Sequence, residues 1–329
     1  MLTLSHINAL RSAGLIPAAR YLDAAVSVRD TAFWNLWARR ALLACGAGHL
    51  LVGIVFFFAY NWADLPDLAK FAIVEGTLVA AVIAALLFGI DRLHGQAALI
   101  GASVLTGVLL AVIGQVYQTG ADAYQLFVAW MLLILPWTLA SRSAAQWLLW
   151  LVVAGIALAL YGDQVLVPEG FATETEVATA VGLIGAAALT AREVAVLAGQ
   201  AWLGGRWTRL VLAFATLALL FRPAAAIVFD WESRGIELVC FVAAVAVGGG
   251  VYWRRLPDYA AMTFVIGFAA VFLIAVGLRL IDEAVGFEWD EAAPMITSAG
   301  VTILWSVLVF GLAAKLMRRL RPADERATA

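Results

Sequence analysis

Apolar runs of near twenty residues recur along the whole chain, and no other feature of the sequence constrains its fold as tightly. A helix of that length crosses a hydrocarbon layer of about 30 Å. Inside such a layer, only helices and closed barrels can satisfy every backbone N–H and C=O. Composition agrees with spans rather than a soluble core: 64% of residues are hydrophobic and 13% charged, where a globular protein carries about 45–50% and about 25%. The expected fold class is all-α, a polytopic transmembrane helical bundle of about ten spans with a small N-terminal cytoplasmic helical region. The spans fall near 41–60, 71–90, 96–114, 124–140, 144–161, 176–190, 210–229, 236–253, 259–281 and 294–314. The sixth is short, and Pro136 bends or ends the fourth.

Three regions follow: residues 1–40, a membrane half at 41–140 holding spans one to four, and 141–329 with the remaining spans and a short basic tail. The first region is too polar and too rich in Arg for a cleavable signal peptide. It reads as short helices, one capped by Ser5 and ending at Gly14, and another from Ala18 to about Val28. A third places Phe33, Trp34 and Trp37 beside Arg39 and Arg40, which suits either a helix in the headgroup layer or a plain helix extension.

Basic residues test the span count independently. With the N-terminus inside, every Lys and Arg except Lys70, Arg222, Arg234 and Arg279 falls in a cytoplasmic segment. That bias predicts an even count and two cytoplasmic termini. The acidic residues gather on the opposite side, at Glu169, Glu174 and Glu176, and at Asp282, Glu283, Glu288, Asp290 and Glu291. Between spans six and seven, Val194, Leu197, Ala198, Ala201 and Trp202 recur at helical spacing and predict a surface helix.

Polar groups concentrate in one place. Gly114 to Tyr124 reads Gly-Gln-Val-Tyr-Gln-Thr-Gly-Ala-Asp-Ala-Tyr, set between two apolar runs. Amides, phenols and a carboxylate at a lipid boundary are costly without partners. If span three continues as a helix, Gln115, Gln118 and Asp122 share a face. If Gly120 ends it, Thr119 and Asp122 become backbone caps. The first outer loop, with Asn61, Trp62 and Lys70, falls on the same side. Glu75 lies deeper in span two, where a carboxylate either serves function or pairs with Lys70 or a neighbouring helix. Small residues at Gly76, Ala80 and Ala84, and at Gly107, Ala111 and Gly114, let spans two and three approach closely and would bring Glu75 near Gln115. Glu237 and Arg279 read as side chains that reach the interface from the ends of spans eight and nine.

Several classes find no support. The sequence has no GxxxxGK[ST], HExxH, nucleophile elbow or paired Cys/His set. Cys45 and Cys240 fit no metal spacing or disulfide framework. No cofactor or metal is expected, and catalysis finds no nucleophile. The Arg are spread over separate segments, so no nucleic acid is expected either.

Phe57-Phe58-Ala59-Tyr60-Asn61-Trp62, Leu65-Pro66, Lys70-Phe71, the run from Gly114 to Asp122, and Leu135-Pro136-Trp137 resemble a bacterial family of predicted membrane proteins catalogued only as a domain of unknown function. The likeness is specific from about Ser5 to Trp137. It implies an inner-membrane protein with a cytoplasmic N-terminal region. It also implies a companion envelope membrane protein with a GDYxxLxY motif as a partner beside the lipid bilayer. The family motif maps onto Asn61, Trp62, Lys70, Gln115, Tyr117, Gln118, Asp122 and Tyr124, and implies no activity. Two readings stand: a non-enzymatic envelope component that binds a partner protein or lipid headgroup through this outer cluster, or an ion or small-molecule transporter that uses Glu75.

Overall fold

The computed structural model describes residues 62–229, 235–285 and 292–320, with scattered positions between 7 and 53. The expected first span at 41–60 lies largely outside the described residues, and so do Asn61 and the acidic stretch at 286–291. The chain forms two compact units, residues 1–70 with 320–329, and residues 71–319.

In the first unit, Gly14 turns the chain at φ +72°, and α1 (Tyr21–Ser27) follows. The Arg11 guanidinium lies over the Tyr21 ring at 4.5 Å. Trp34 and Trp37, both exposed, meet edge to face at 5.9 Å. His49 shares a 2.8 Å hydrogen bond with the Cys45 carbonyl one turn back. That is the role of a histidine satisfied by its own helix.

Nine helices among the described residues are long and apolar enough to cross a membrane. They are α2 (Asp67–Phe88), α3 (Leu93–Tyr117), α4 (Ala123–Ala140), α5 (Ala144–Tyr161), α6 (Glu174–Leu197), α7 (Arg206–Phe229), α8 (Ile236–Gly250), α9 (Tyr259–Val285) and α10 (Ala292–Leu320). No strand occurs among the described residues, and the architecture is an all-α bundle of membrane helices. Local chemistry sets the helix starts. The Ser143 hydroxyl accepts from Gln146 N to cap α5, and Thr173 and Glu176 form a reciprocal capping box at the head of α6. Turns of wider pitch extend α5 through Gly162–Leu166 and α8 through Val251–Arg255.

Two expectations need correction. Span six is not short: α6 runs for 24 residues. Val194 and Leu197 continue it, and only Ala201–Leu203 forms a separate tight turn, so the surface helix is absent. Its polar residues Thr190, Arg192 and Glu193 had masked the continuation, and their side chains are satisfied within the fold. Of the two outcomes expected at Pro136, only an end to the span is excluded, since α4 continues to Ala140 with the proline inside it.

The core centres on α7, which packs against α6, α8 and α9. Leu220, Ala224 and Val228 of α7 join Phe241 of α8 and Phe272 of α9 in one buried cluster. Phe221 meets Phe241, Phe268 and Phe272 edge to face at 5.8–6.4 Å. Close approach depends on glycine. A Cβ on Gly182 of α6 would sit 2.6 Å from Leu220 Cδ2, and one on Gly107 of α3 would sit 2.5 Å from the Trp130 ring of α4.

Candidate functional site

Helix α3 stops at Tyr117 because Gln118 takes a left-handed conformation, φ 44° and ψ 49°. Gly120 follows at φ +63°, and Asp122 stands at the N-cap of α4 without a side-chain capping bond. The continuous helical face through Gln115, Gln118 and Asp122 is therefore not formed. The second alternative is not met as expected either: the helix is ended by Gln118 rather than Gly120, and Asp122 occupies the N-cap position without making the capping bond. Gln115, Tyr117, Gln118 and Asp122 are all exposed. Among the described residues, neither Gln118 nor Asp122 has a side-chain hydrogen bond.

Tyr124 is the anchored member. Its backbone N–H donates to Gln164 Oε1 at 3.2 Å, its hydroxyl accepts from Gln125 Nε2 at 3.3 Å, and its ring meets Tyr161 at 5.3 Å. Tyr117 stacks at a tilt on Phe71, centroids 5.9 Å apart. The structure thus adds Phe71, Tyr161 and Gln164 to the surface. The last two lie where α5 ends, and nothing in the local sequence ties them to residues about forty positions earlier.

Trp62 and Lys70 belong to the first unit. There Lys70 pairs with Asp67 one turn back, Nζ to Oδ1 at 3.2 Å. Glu75 is exposed on α2 and makes no hydrogen bond or ion pair among the described residues. Gly76 and Ala80 of the same helix are also exposed. The small-residue face of α3 closes on α4: Trp130 covers Gly107 and donates its Nε1–H to the Ser103 carbonyl at 2.7 Å.

Two buried polar clusters escaped the sequence reading. In the first, Gln146 of α5 donates to Ser103 Oγ of α3 at 2.8 Å and to Thr138 Oγ1 of α4 at 3.0 Å, tying three helices together. The second lies at the end of the bundle opposite the 118–122 turn. Arg192 donates to Glu193 Oε1 at 2.8 Å, to the Leu203 and Gly205 carbonyls at 2.9 and 3.1 Å, and to Thr208 Oγ1 at 3.3 Å. Arg209 bridges Glu193, at 2.8 and 2.9 Å, to Asp258 at 3.1 Å. Arg206 completes the set on Asp258 at 2.9 and 3.3 Å. Buried charges persist only when paired and hydrogen-bonded, and these are.

Burial alone would raise the Asp258 carboxyl. The bonds from Arg206 and Arg209, with the Ala261 N–H, outweigh it and hold the group down at about 2. The sequence signal was available, since α6 carries Arg and Glu side by side within an otherwise apolar run.

Glu237 corrects a further expectation. It does not reach the interface but is 2% exposed at the head of α8. An apolar groove of ≈660 Å³ lies along α8, α9 and α10, lined by Gly249, Trp253, Met262, Leu273 and Trp305 among others. None of the candidate outer residues lines it.

Residues 8–147 match the family model described as predicted membrane protein (DUF2157), a domain of unknown function. The match takes in α2, α3 and α4 and the 118–122 turn. No curated protein and no solved structure matches the chain.

Proposed function

We propose, from the premise that residues 8–147 are a domain of that membrane-protein family, that the chain is a non-enzymatic component of the bacterial inner membrane. In this reading the 118–122 turn faces outward, both termini are cytoplasmic, and the turn docks a companion envelope membrane protein. One observation carries the reading. Tyr117, Gln118 and Asp122 stand exposed at one end of the bundle, and the two polar side chains Gln118 and Asp122 have no intramolecular bond among the described residues. Such groups gain most from an outside partner, which replaces water with directed hydrogen bonds around an aromatic anchor. Gln115 and Tyr124 fill out the proposed surface.

Tyr117→Ala and Asp122→Ala should each insert and accumulate normally, yet lose the second protein chain retained by wild type in native mass spectrometry. Normal capture by both variants ends the proposal. Loss of a bound lipid, with protein capture intact, would move the ligand to a headgroup.

Transport of an ion or small molecule through Glu75 is the second reading. It draws support from that carboxylate's exposure on a membrane helix without an intramolecular partner among the described residues. Glu75→Gln abolishes flux into vesicles if it transports, and only weakens assembly if it docks.

A further inference from the structure

Glu237 is an acidic group in an apolar run, buried at the same end of the bundle as the 118–122 turn. Its Oε1 accepts a hydrogen bond from Thr175 Oγ1 at 3.0 Å, and its Oε2 is buried with no partner among the described residues. The Thr175 hydroxyl lies 3.1 Å from that of Thr173, which is exposed. Thr173 in turn accepts from Glu176 N at 3.2 Å. Three side chains therefore form a hydrogen-bonded row from the surface at the head of α6 to a carboxyl in the interior. Inward, the row stops, because one turn further along α8 stands Phe241, packed with Leu220, Ala224 and Phe272.

We propose that Glu237 is a proton-exchange site, served from this one face of the membrane through the hydroxyls of Thr173 and Thr175. A carboxylate removed from water needs several partners to keep its charge, and a single threonine hydroxyl is one. A proton meets the need by making the acid neutral. Hydroxyls both donate and accept, so the row conducts without net change in its members. Thr175 gives its proton to Glu237 and receives that of Thr173, which takes one from a hydronium ion at the surface and leaves water. Release runs in reverse.

The charged neighbours leave this row intact. On α6, Glu174 is exposed and Glu176 bonds back to Thr173 N at 2.9 Å. On α7, Arg222 is exposed. On α9, Arg279 pairs with Glu283 at 3.2 Å, and Asp282 adds a carboxyl by sequence. Cys240 is the other titratable group nearby on α8 itself. Among the described residues, Thr175 alone is bonded to Glu237.

Infrared spectroscopy of the full-length protein in lipid nanodiscs tests the site. A protonated carboxylic acid gives a carbonyl stretch that shifts when its O–H exchanges with deuterium. Wild type should show such a band, and Glu237→Gln should lack it. Thr175→Val should slow the deuterium shift by roughly tenfold or more, while Thr175→Ser restores it. In wild type alone, a lipophilic carbodiimide, which attacks protonated buried carboxyls, should modify Glu237, as located by mass spectrometry. Identical spectra for wild type and Glu237→Gln overturn the proposal, as does a wild-type shift rate in Thr175→Val. Loss of the band on titration with sodium would overturn the proton as ligand in favour of a metal cation.

Discussion

Asp258 shows how one residue can join several helices. It accepts from Arg206 and Arg209 at the start of α7 and from Ala260 N and Ala261 N at the start of its own α9. Its carboxyl, ordinarily near 3.8, is lowered to about 2. The folded state therefore binds that proton less readily than the unfolded chain. The stabilisation, about 2 kcal/mol, is fully present above about pH 4 and is lost as pH falls through about 2. Asp258→Asn should melt below wild type at pH 7 in thermal denaturation in detergent, with the gap closing between pH 4 and pH 2. A gap independent of pH would show that the ion pairs contribute nothing. This network was readable only in part. Arg192 and Glu193 stand out as adjacent charges in an apolar run, but Asp258 is about sixty-five positions away and looked like a loop residue.

Among the elements, the same contact occurs twice. Trp130 lies on Gly107 and donates to the Ser103 carbonyl, and Trp305 lies on Gly277 and donates to the Leu273 carbonyl at 3.0 Å. In each, an indole covers a glycine and bonds to the carbonyl four residues earlier, joining α3 to α4 and α9 to α10. The absent Cβ is what admits the ring. Gly107→Ala should lower the melting temperature more than Trp130→Phe, by about 1–3 kcal/mol in stability, because the fixed indole has nowhere to move. Equal stability of Gly107→Ala and wild type would mean that α4 shifts freely. The sequence marked Gly107 as a small-residue contact and assigned it to the wrong neighbour, since period and size do not say which helix lies opposite.

At the scale of the molecule, the alternation of helix directions puts the 118–122 turn and the Arg192–Asp258 network at opposite ends. The proposed orientation, with the turn outside, rests on the bias of Lys and Arg and is open to a direct test. A cysteine at Ala121, in a background with Cys45 and Cys240 replaced by Ala, should react with an impermeant thiol reagent added to intact cells. Ala121 is preferable to Gly120, whose positive φ disfavours a side chain. Reaction only after lysis would reverse the orientation.

Class, membrane location and most of the spans were set by the sequence alone, because hydropathy over about twenty residues is a local property and the bilayer leaves the backbone few solutions. The exposed polar turn was also legible, as an interruption between apolar runs. Tertiary structure alone decided which polar groups meet. It left Glu75 exposed and the Asp122 side chain without a hydrogen bond among the described residues, enclosed Glu237 beside Thr175, and gathered Arg192, Glu193, Arg209 and Asp258 from three helices. Burial and pairing depend on the rotation of each helix and on its neighbours. A single sequence records the faces of a helix but not the partner to which each face turns.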